Sequence, residues 1–272
     1  TSRTAIIGRQ PGGTVRYDHP TTWHRLTEGG SVWMTDYPIE QAQCDRALAP
    51  FRRGLVLVGG LGLGYAATAL ALRPAVRIVA VEKSQDVVYL VAPHLLAGDP
   101  AARARLTVIR VDLFAYLRSL PARRRPTFDR AFYDVWASDG ERTFFGAVVP
   151  LLRLSAGRVR ARPVCWNEDV MRGQLYFSLV GRWGALSSPH RGALTVDELC
   201  EPRGTVWVDW SVPFFRWARR AAPDASRLQE MAALYAGWYG LGSFPDTWEA
   251  VAGERVPDLD TSALEKEVLG DP

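Results

Sequence analysis

Residues 55–64, Leu55-Val-Leu-Val-Gly-Gly-Leu-Gly-Leu-Gly64, decide how the chain is read. Four apolar residues predict a buried strand. Gly60, Gly62 and Gly64 then alternate through a tight turn, and Tyr65-Ala-Ala-Thr-Ala-Leu-Ala-Leu72 predicts the helix that leaves it. Glycines without Cβ atoms let a ligand lie on the backbone, and a helix N-terminus offers it free N–H groups. Arg77-Ile-Val-Ala-Val-Glu82 is a second apolar run ending on an acid. A carboxylate at the tip of the next parallel strand is where a ribose diol is held. The pattern predicts an adenosine-containing cofactor.

Downstream, apolar strand-like runs alternate with helical ones. The expected strands are 55–58, 77–81, 106–111, 128–134 and 158–164, and the expected helices 65–72, 85–96, 114–120 and 141–154. Such alternation predicts a doubly wound, mostly parallel α/β sheet with ligands beyond the carboxyl ends of its strands. Upstream, Thr14–Tyr17, Thr22–Leu26 and Ser31–Thr35 alternate polar and apolar residues. Gly29-Gly30 between the last two suits a β-hairpin, and a helix is expected over Pro38–Leu48. Downstream, helices are expected near 168–179, 213–220 and 226–239, a strand over Thr205–Trp210, and a loose tail in the last dozen residues. The division expected is an N-terminal β extension with its lead-in helix (1–53), an α/β core (54–200), and a mixed, Trp-rich C-terminal extension (201–272) that completes the sheet and covers the site.

Composition narrows the function classes. Of 272 residues, 47% are hydrophobic, enough for a substantial core. Cys44, Cys165 and Cys200 are odd in number and far apart, as are His19, His24, His94 and His190. That spacing predicts a reducing, cytoplasmic setting with no disulfide framework and no metal site. The first 30 residues are polar and glycine-rich, so no secretory leader is expected. Residues 55–72 lack charge, but their glycines fit a strand, turn and helix better than a membrane span. The formal charge is +4, carried by arginine almost alone, since Lys83 and Lys266 are the only lysines. Clusters stand at Arg123–Arg125, at Arg158, Arg160 and Arg162, and at Arg216, Arg219 and Arg220. They either bind phosphates, including nucleic acid, or simply solvate the surface.

Two further acids end expected strands: Asp112 after Leu106-Thr-Val-Ile-Arg-Val111, and Asp134 after Phe128-Asp-Arg-Ala-Phe-Tyr133. A glycine loop followed by three strand-terminal acids resembles the class I S-adenosylmethionine-dependent methyltransferases. Within that superfamily it most resembles the spermidine-synthase-like branch, whose first strand lacks the usual acid; Val58 stands there in this chain. The resemblance covers roughly residues 50–165 and, more weakly, the hairpin around Val32–Asp36. It implies S-adenosylmethionine as cofactor, with Gly60, Gly62 and Gly64 facing its methionine part and Glu82 its ribose hydroxyls. Asp112 would accept from the adenine amino group, Leu113 would pack near the ring, and Asp134 would sit beside the sulfonium and the nucleophile. Asp134, Trp136 and Asp139 are the candidate acceptor residues.

Departures from the branch bear on the reaction. Polyamine synthases carry an acid where this chain has Leu63, and two acids three residues apart after the fourth strand. Here Asp134 and Asp139 are five apart, with Trp136 between. A diamine needs close anions, so methyl transfer to a small-molecule or other nucleophilic acceptor is expected ahead of aminopropyl transfer from decarboxylated S-adenosylmethionine. A nicotinamide or flavin enzyme fits Gly62-Leu-Gly-Tyr-Ala-Ala67 but assigns nothing to Asp112 or Asp134. A non-catalytic protein binding nucleic acid through its arginine clusters is the remaining reading. No Asn-Pro-Pro-Tyr motif follows the fourth strand; Asp134-Val-Trp136 stands there. Each residue also has a plainer role: a tight turn for the glycines, a helix cap for Asp112 and Asp134, and core packing for the seven tryptophans after residue 160. An exposed hairpin edge makes a homodimer an expectation.

Overall fold

A computed structural model describes residues 8–10, 13–15, 23–28, 31–122, 127–186 and 194–269. The chain divides into two compact units, residues 1–116 with 127–137, and residues 117–126 with 138–272.

The first unit opens with two antiparallel hairpins, β1 (Gly8–Gln10) with β2 (Gly13–Val15), and β3 (Arg25–Glu28) with β4 (Ser31–Thr35). Helix α1 (Pro38–Leu48) follows, spanning the residues its sequence predicts. Its start is fixed locally: Pro38 supplies the first helical φ, and Glu40 accepts the Tyr37 N–H at 3.1 Å. Next come β5 (Gly54–Gly59), α2 (Tyr65–Ala71), β6 (Val76–Glu82), α3 (Gln85–Val91), α4 (Pro100–Arg103), β7 (Leu106–Arg110), α5 (Leu113–Ser119) and β8 (Arg130–Tyr133). Ser84 and Asp99 cap α3 and α4 by accepting N–H bonds from Val87 and Ala102.

These strands lie in the order β7-β6-β5-β8, and the pairs β7–β6, β6–β5 and β5–β8 are parallel. The chain steps outward from β5 to β7 and then returns to the other side of β5. This is the doubly wound α/β arrangement, with its topological switch point between β5 and β8. Val56, Leu57, Ile78, Ala80 and Ala131 are buried across these strands, which explains why they read as apolar runs.

The second unit is mainly helical. Its elements are α6 (Glu141–Thr143), a π-helical stretch (Phe144–Val148), α7 (Val149–Ser155), β9 (Val164–Cys165), α8 (Glu168–Ala185), α9 (Val196–Cys200), α10 (Val206–Asp209), α11 (Val212–Ala221), α12 (Ala225–Trp238), α13 (Phe244–Ala252) and α14 (Ser262–Leu269). At its centre Trp210, Phe214, Tyr235, Phe244 and Trp248 are almost wholly buried. Tyr235 meets Trp248 edge-on at 4.6 Å between centroids and donates its hydroxyl to the Trp210 carbonyl.

Three expectations are corrected here. The strand over 158–164 shrinks to β9. Arg158 turns the chain there instead, donating to the Leu154 and Leu120 carbonyls at 2.8 Å each. Residues 205–210 form the short helix α10, and the described residues beyond 200 are helix and loop, so the C-terminal extension is neither mixed nor a contributor of strands to the sheet. Buried Trp210 sets that conformation against Phe145 and Tyr235, contacts the local alternation does not contain. The tail is not loose as far as Leu269: α14 packs on the π-helical stretch, where the missing Cβ of Gly146 leaves room for the Leu264 carbonyl. Gly29-Gly30 and Arg123–Arg125 lie outside the described residues.

Candidate functional site

Sheet register gathers the predicted residues of the first unit. Gly59 pairs with Tyr133, and Glu82 with Arg110. The residues just beyond these pairs are Gly60, Asp134, Val111 and Asp112. Backbone bonds draw the strand ends together: Gly60 N–H to Val81 O at 2.8 Å, Asp134 N–H to Gly59 O at 2.8 Å, and Val111 N–H to Glu82 O at 3.0 Å. The glycine loop, Glu82, Asp112 and Asp134 therefore stand at the carboxyl edge of four adjacent strands, around the switch point.

The loop itself is dictated by packing as well as by φ. Gly60 has φ +86°, and a Cβ there would overlap the Asp134 carbonyl oxygen. Gly62 has φ +49°, and a Cβ there would overlap the Met34 sulfur. Gly64, at φ +80°, is the N-cap of α2. The side that glycine leaves open is thus filled by protein, and what the loop offers a ligand is its backbone.

Glu82 is the brace of this edge. One carboxylate oxygen accepts the Leu61 N–H at 2.9 Å and the other the Ser84 N–H at 2.8 Å. Each oxygen has a second lone pair, so the brace and a ribose diol are compatible. Asp112 caps α5, its Oδ1 accepting the Ala115 N–H at 2.8 Å, while Oδ2 suits an adenine amino group. Leu113 is buried against Gly59.

Of the residues expected to meet an acceptor, Asp134 is half-buried. Trp136 is buried, and its indole N–H has no hydrogen-bond partner among the described residues. An unpaired buried donor costs roughly 1–3 kcal/mol, and the indoles of Trp210 and Trp248 in the second unit share that state. Asp139 belongs to the second unit. There Asn167 Nδ2 donates to it at 2.7 Å, and burial holds its carboxyl above the ordinary value against that hydrogen bond and with help from Asp169.

Four neighbours were not singled out by the sequence. Met34, on β4, accepts the Leu63 N–H through its sulfur at 3.4 Å. Its strand is held by Asp36, which bonds the His24 backbone N–H and ring, the latter at 2.9 Å. Cys44 is buried on α1, and its thiol is pushed up to about 12, first by burial and then by the charges of Asp134 and Asp45. Tyr65, the first residue of α2, hydrogen-bonds to Asp45; burial and that bond push its hydroxyl up to about 12. Only the position of Tyr65 directly after Gly64 carried any sequence signal. Among the described residues no group of three or more His, Cys, Asp or Glu side chains could hold a metal ion, and no helix is long and apolar enough to cross a membrane.

No protein-family profile matches the chain, and no curated protein sequence matches it. Solved structures do. One is a methyltransferase from Geobacter sulfurreducens, with 20% identity and a TM-score of 0.36 over 51% of this chain and 64% of its own. A second is the C-terminal domain of precorrin-6Y C5,15-methyltransferase from Rhodobacter capsulatus, with 21% identity and a TM-score of 0.28 over 35% of this chain and 47% of its own. A third is a dimethyladenosine transferase from Plasmodium falciparum, with 17% identity and a TM-score of 0.29 over 37% of this chain and 32% of its own. The match spans less than two thirds of each of these neighbours. At such similarity, the functional reading rests on this chain's own residues.

Proposed function

We propose that the chain is an S-adenosylmethionine-dependent methyltransferase acting on a small nucleophilic acceptor. One observation carries the reading: the register that sets the glycine loop, Glu82, Asp112 and Asp134 at the carboxyl ends of four adjacent strands, around the switch point. Glu82 holds the ribose while bracing the loop, Asp112 takes the adenine amino group, and the loop N–H groups receive the methionine part. The sulfonium supplies an electrophilic methyl carbon. A nucleophile on the acceptor would take that methyl, the carbon–sulfur electron pair would go to sulfur, and S-adenosylhomocysteine would be the second product. Asp134 orients the acceptor and takes its proton. Alignment of the two reactants provides most of the acceleration. Methyl transfer is favoured over aminopropyl transfer because it needs no close pair of anions for a diammonium chain.

Calorimetric titration tests this with S-adenosylmethionine, S-adenosylhomocysteine, the decarboxylated cofactor and NAD. Micromolar binding of the first two is expected, weakened about tenfold in Asp112→Asn, which retains a side-chain oxygen for the cap. Preference for the decarboxylated cofactor transfers the assignment to aminopropyl transfer. Binding of NAD alone, or of none of the four, overturns the proposal.

A further inference from the structure

The second unit contains a cleft of about 1230 Å³ lined wholly by its own residues. Arginines from two clusters visible in the sequence, and unused by methyl transfer, contribute to its lining. Arg160 and Arg162 come from the segment before β9, Arg216 from α11, and Arg255 from the segment after α13. The apolar lining includes Val159, Phe244 and Val256, all buried.

Two of these guanidinium groups are pre-set. Arg162 pairs with Glu168, a carboxylate only 7% exposed that also accepts from Arg172 Nε at 2.7 Å. Arg216 is anchored through Nε to the Cys200 carbonyl at 2.9 Å, which leaves its two terminal nitrogens as donors. Acids line the cleft too: Asp258 is paired with Arg153 at 2.9 Å, and Asp209 accepts the backbone N–H of Arg203 at 2.7 Å. Asp246 and Glu249 stand exposed on α13. Planar guanidinium forks match the paired oxygens of a carboxylate or phosphate.

We infer that this cleft binds an amphiphile with an oxyanion head and an apolar body, the head on Arg160, Arg162, Arg216 and Arg255 and the body over Val159 and Phe244. The inference stands apart from the methyltransferase reading.

Fluorescence titration of the full chain with dansyl-undecanoate tests it, with displacement by laurate, dodecyl phosphate and dodecanol. Saturable binding is expected, displaced by one or both anions and not by the alcohol. The better anion shows whether the head is carboxylate or phosphate. Arg160→Glu/Arg255→Glu, both at exposed positions, should weaken binding at least about tenfold. Arg255→Gln, the milder change, should weaken it less at an unaltered melting temperature. No binding, equal binding by the variants, or displacement by dodecanol as effective as by laurate overturns the inference.

Discussion

In the first unit the critical contacts join side-chain oxygens to backbone N–H groups a few residues from a strand end: Glu82 to Leu61 and Ser84, and Asp112 to Ala115. In the second unit they centre on one charged cluster on α8 that reaches elements far away in sequence. Glu168 on α8 is shared by Arg162 and Arg172, and Arg172 lies over the Phe144 ring at 4.8 Å and donates to the Ala236 and Tyr239 carbonyls at 2.8 and 2.9 Å. The first arrangement fixes backbone geometry at an edge where a ligand can bind. The second secures a core by placing charge inside it, where losing a partner is most costly.

The largest effect should therefore come from the second unit. Glu168→Ala strands the Arg172 guanidinium, which is 12% exposed, and should cost about 3–5 kcal/mol by urea denaturation. Glu168→Leu/Arg172→Met, which removes both charges, should recover most of that loss. A single variant as stable as the parent would break the comparison. In the first unit, Gly60→Ala meets both a left-handed φ and the Asp134 carbonyl. Backbone strain and overpacking together should cost about 2–4 kcal/mol, and the variant should also lose cofactor binding in calorimetry. Full binding by a folded Gly60→Ala would show that the loop is a turn and nothing more. Smaller still is Tyr235→Phe, which leaves the buried Trp210 carbonyl without its donor and should cost about 1–2 kcal/mol in thermal or urea unfolding.

The same contrast explains what could be read in advance. The α/β run from Leu55 to Asp134 was legible because each step is local: an apolar run, a glycine or capping acid, then a helix. The parallel pairing followed from the alternation of strands with helices. The placement of Glu82 and Asp112 at one edge was legible for the same reason, since strand ends are brought together by register. Met34 was not, because nothing in Ser31-Val-Trp-Met-Thr35 says which loop its sulfur meets. Residues 205–210 alternate like a strand, yet the burial of Trp210 among Phe145, Tyr235 and Tyr239 makes them a helix. The arginine clusters were visible, but not their division of labour. Arg158 and Arg220 donate to backbone carbonyls, and Arg219 pairs with Asp197, whereas Arg160, Arg162 and Arg216 line one cleft.

The finest test uses the thiols as reporters of each unit. Cys44 titrates at about 12 against an ordinary 9.0, and Cys165 is pushed well above 9.0; in both, burial is the first cause. A native pKa raised above the unfolded one stabilises the fold fully below about pH 9. That stability is lost as pH climbs from the unfolded value toward the native one, because only the unfolded thiol ionises there. The urea midpoint should therefore fall between about pH 9 and 11, and fall less in Cys44→Ala. Iodoacetamide at about pH 9 should label neither thiol in the native state, since only a thiolate reacts. The second causes then separate the units. Asp134 raises Cys44, whereas Glu168 raises Cys165 and Arg162 and Arg172 oppose it. Asp134→Asn should lower the Cys44 titration and speed its labelling while leaving Cys165 untouched. An unchanged Cys44 would mean that the Asp134 charge does not reach α1, and with it would go the grouping of Cys44, Asp45 and Tyr65 beside Asp134.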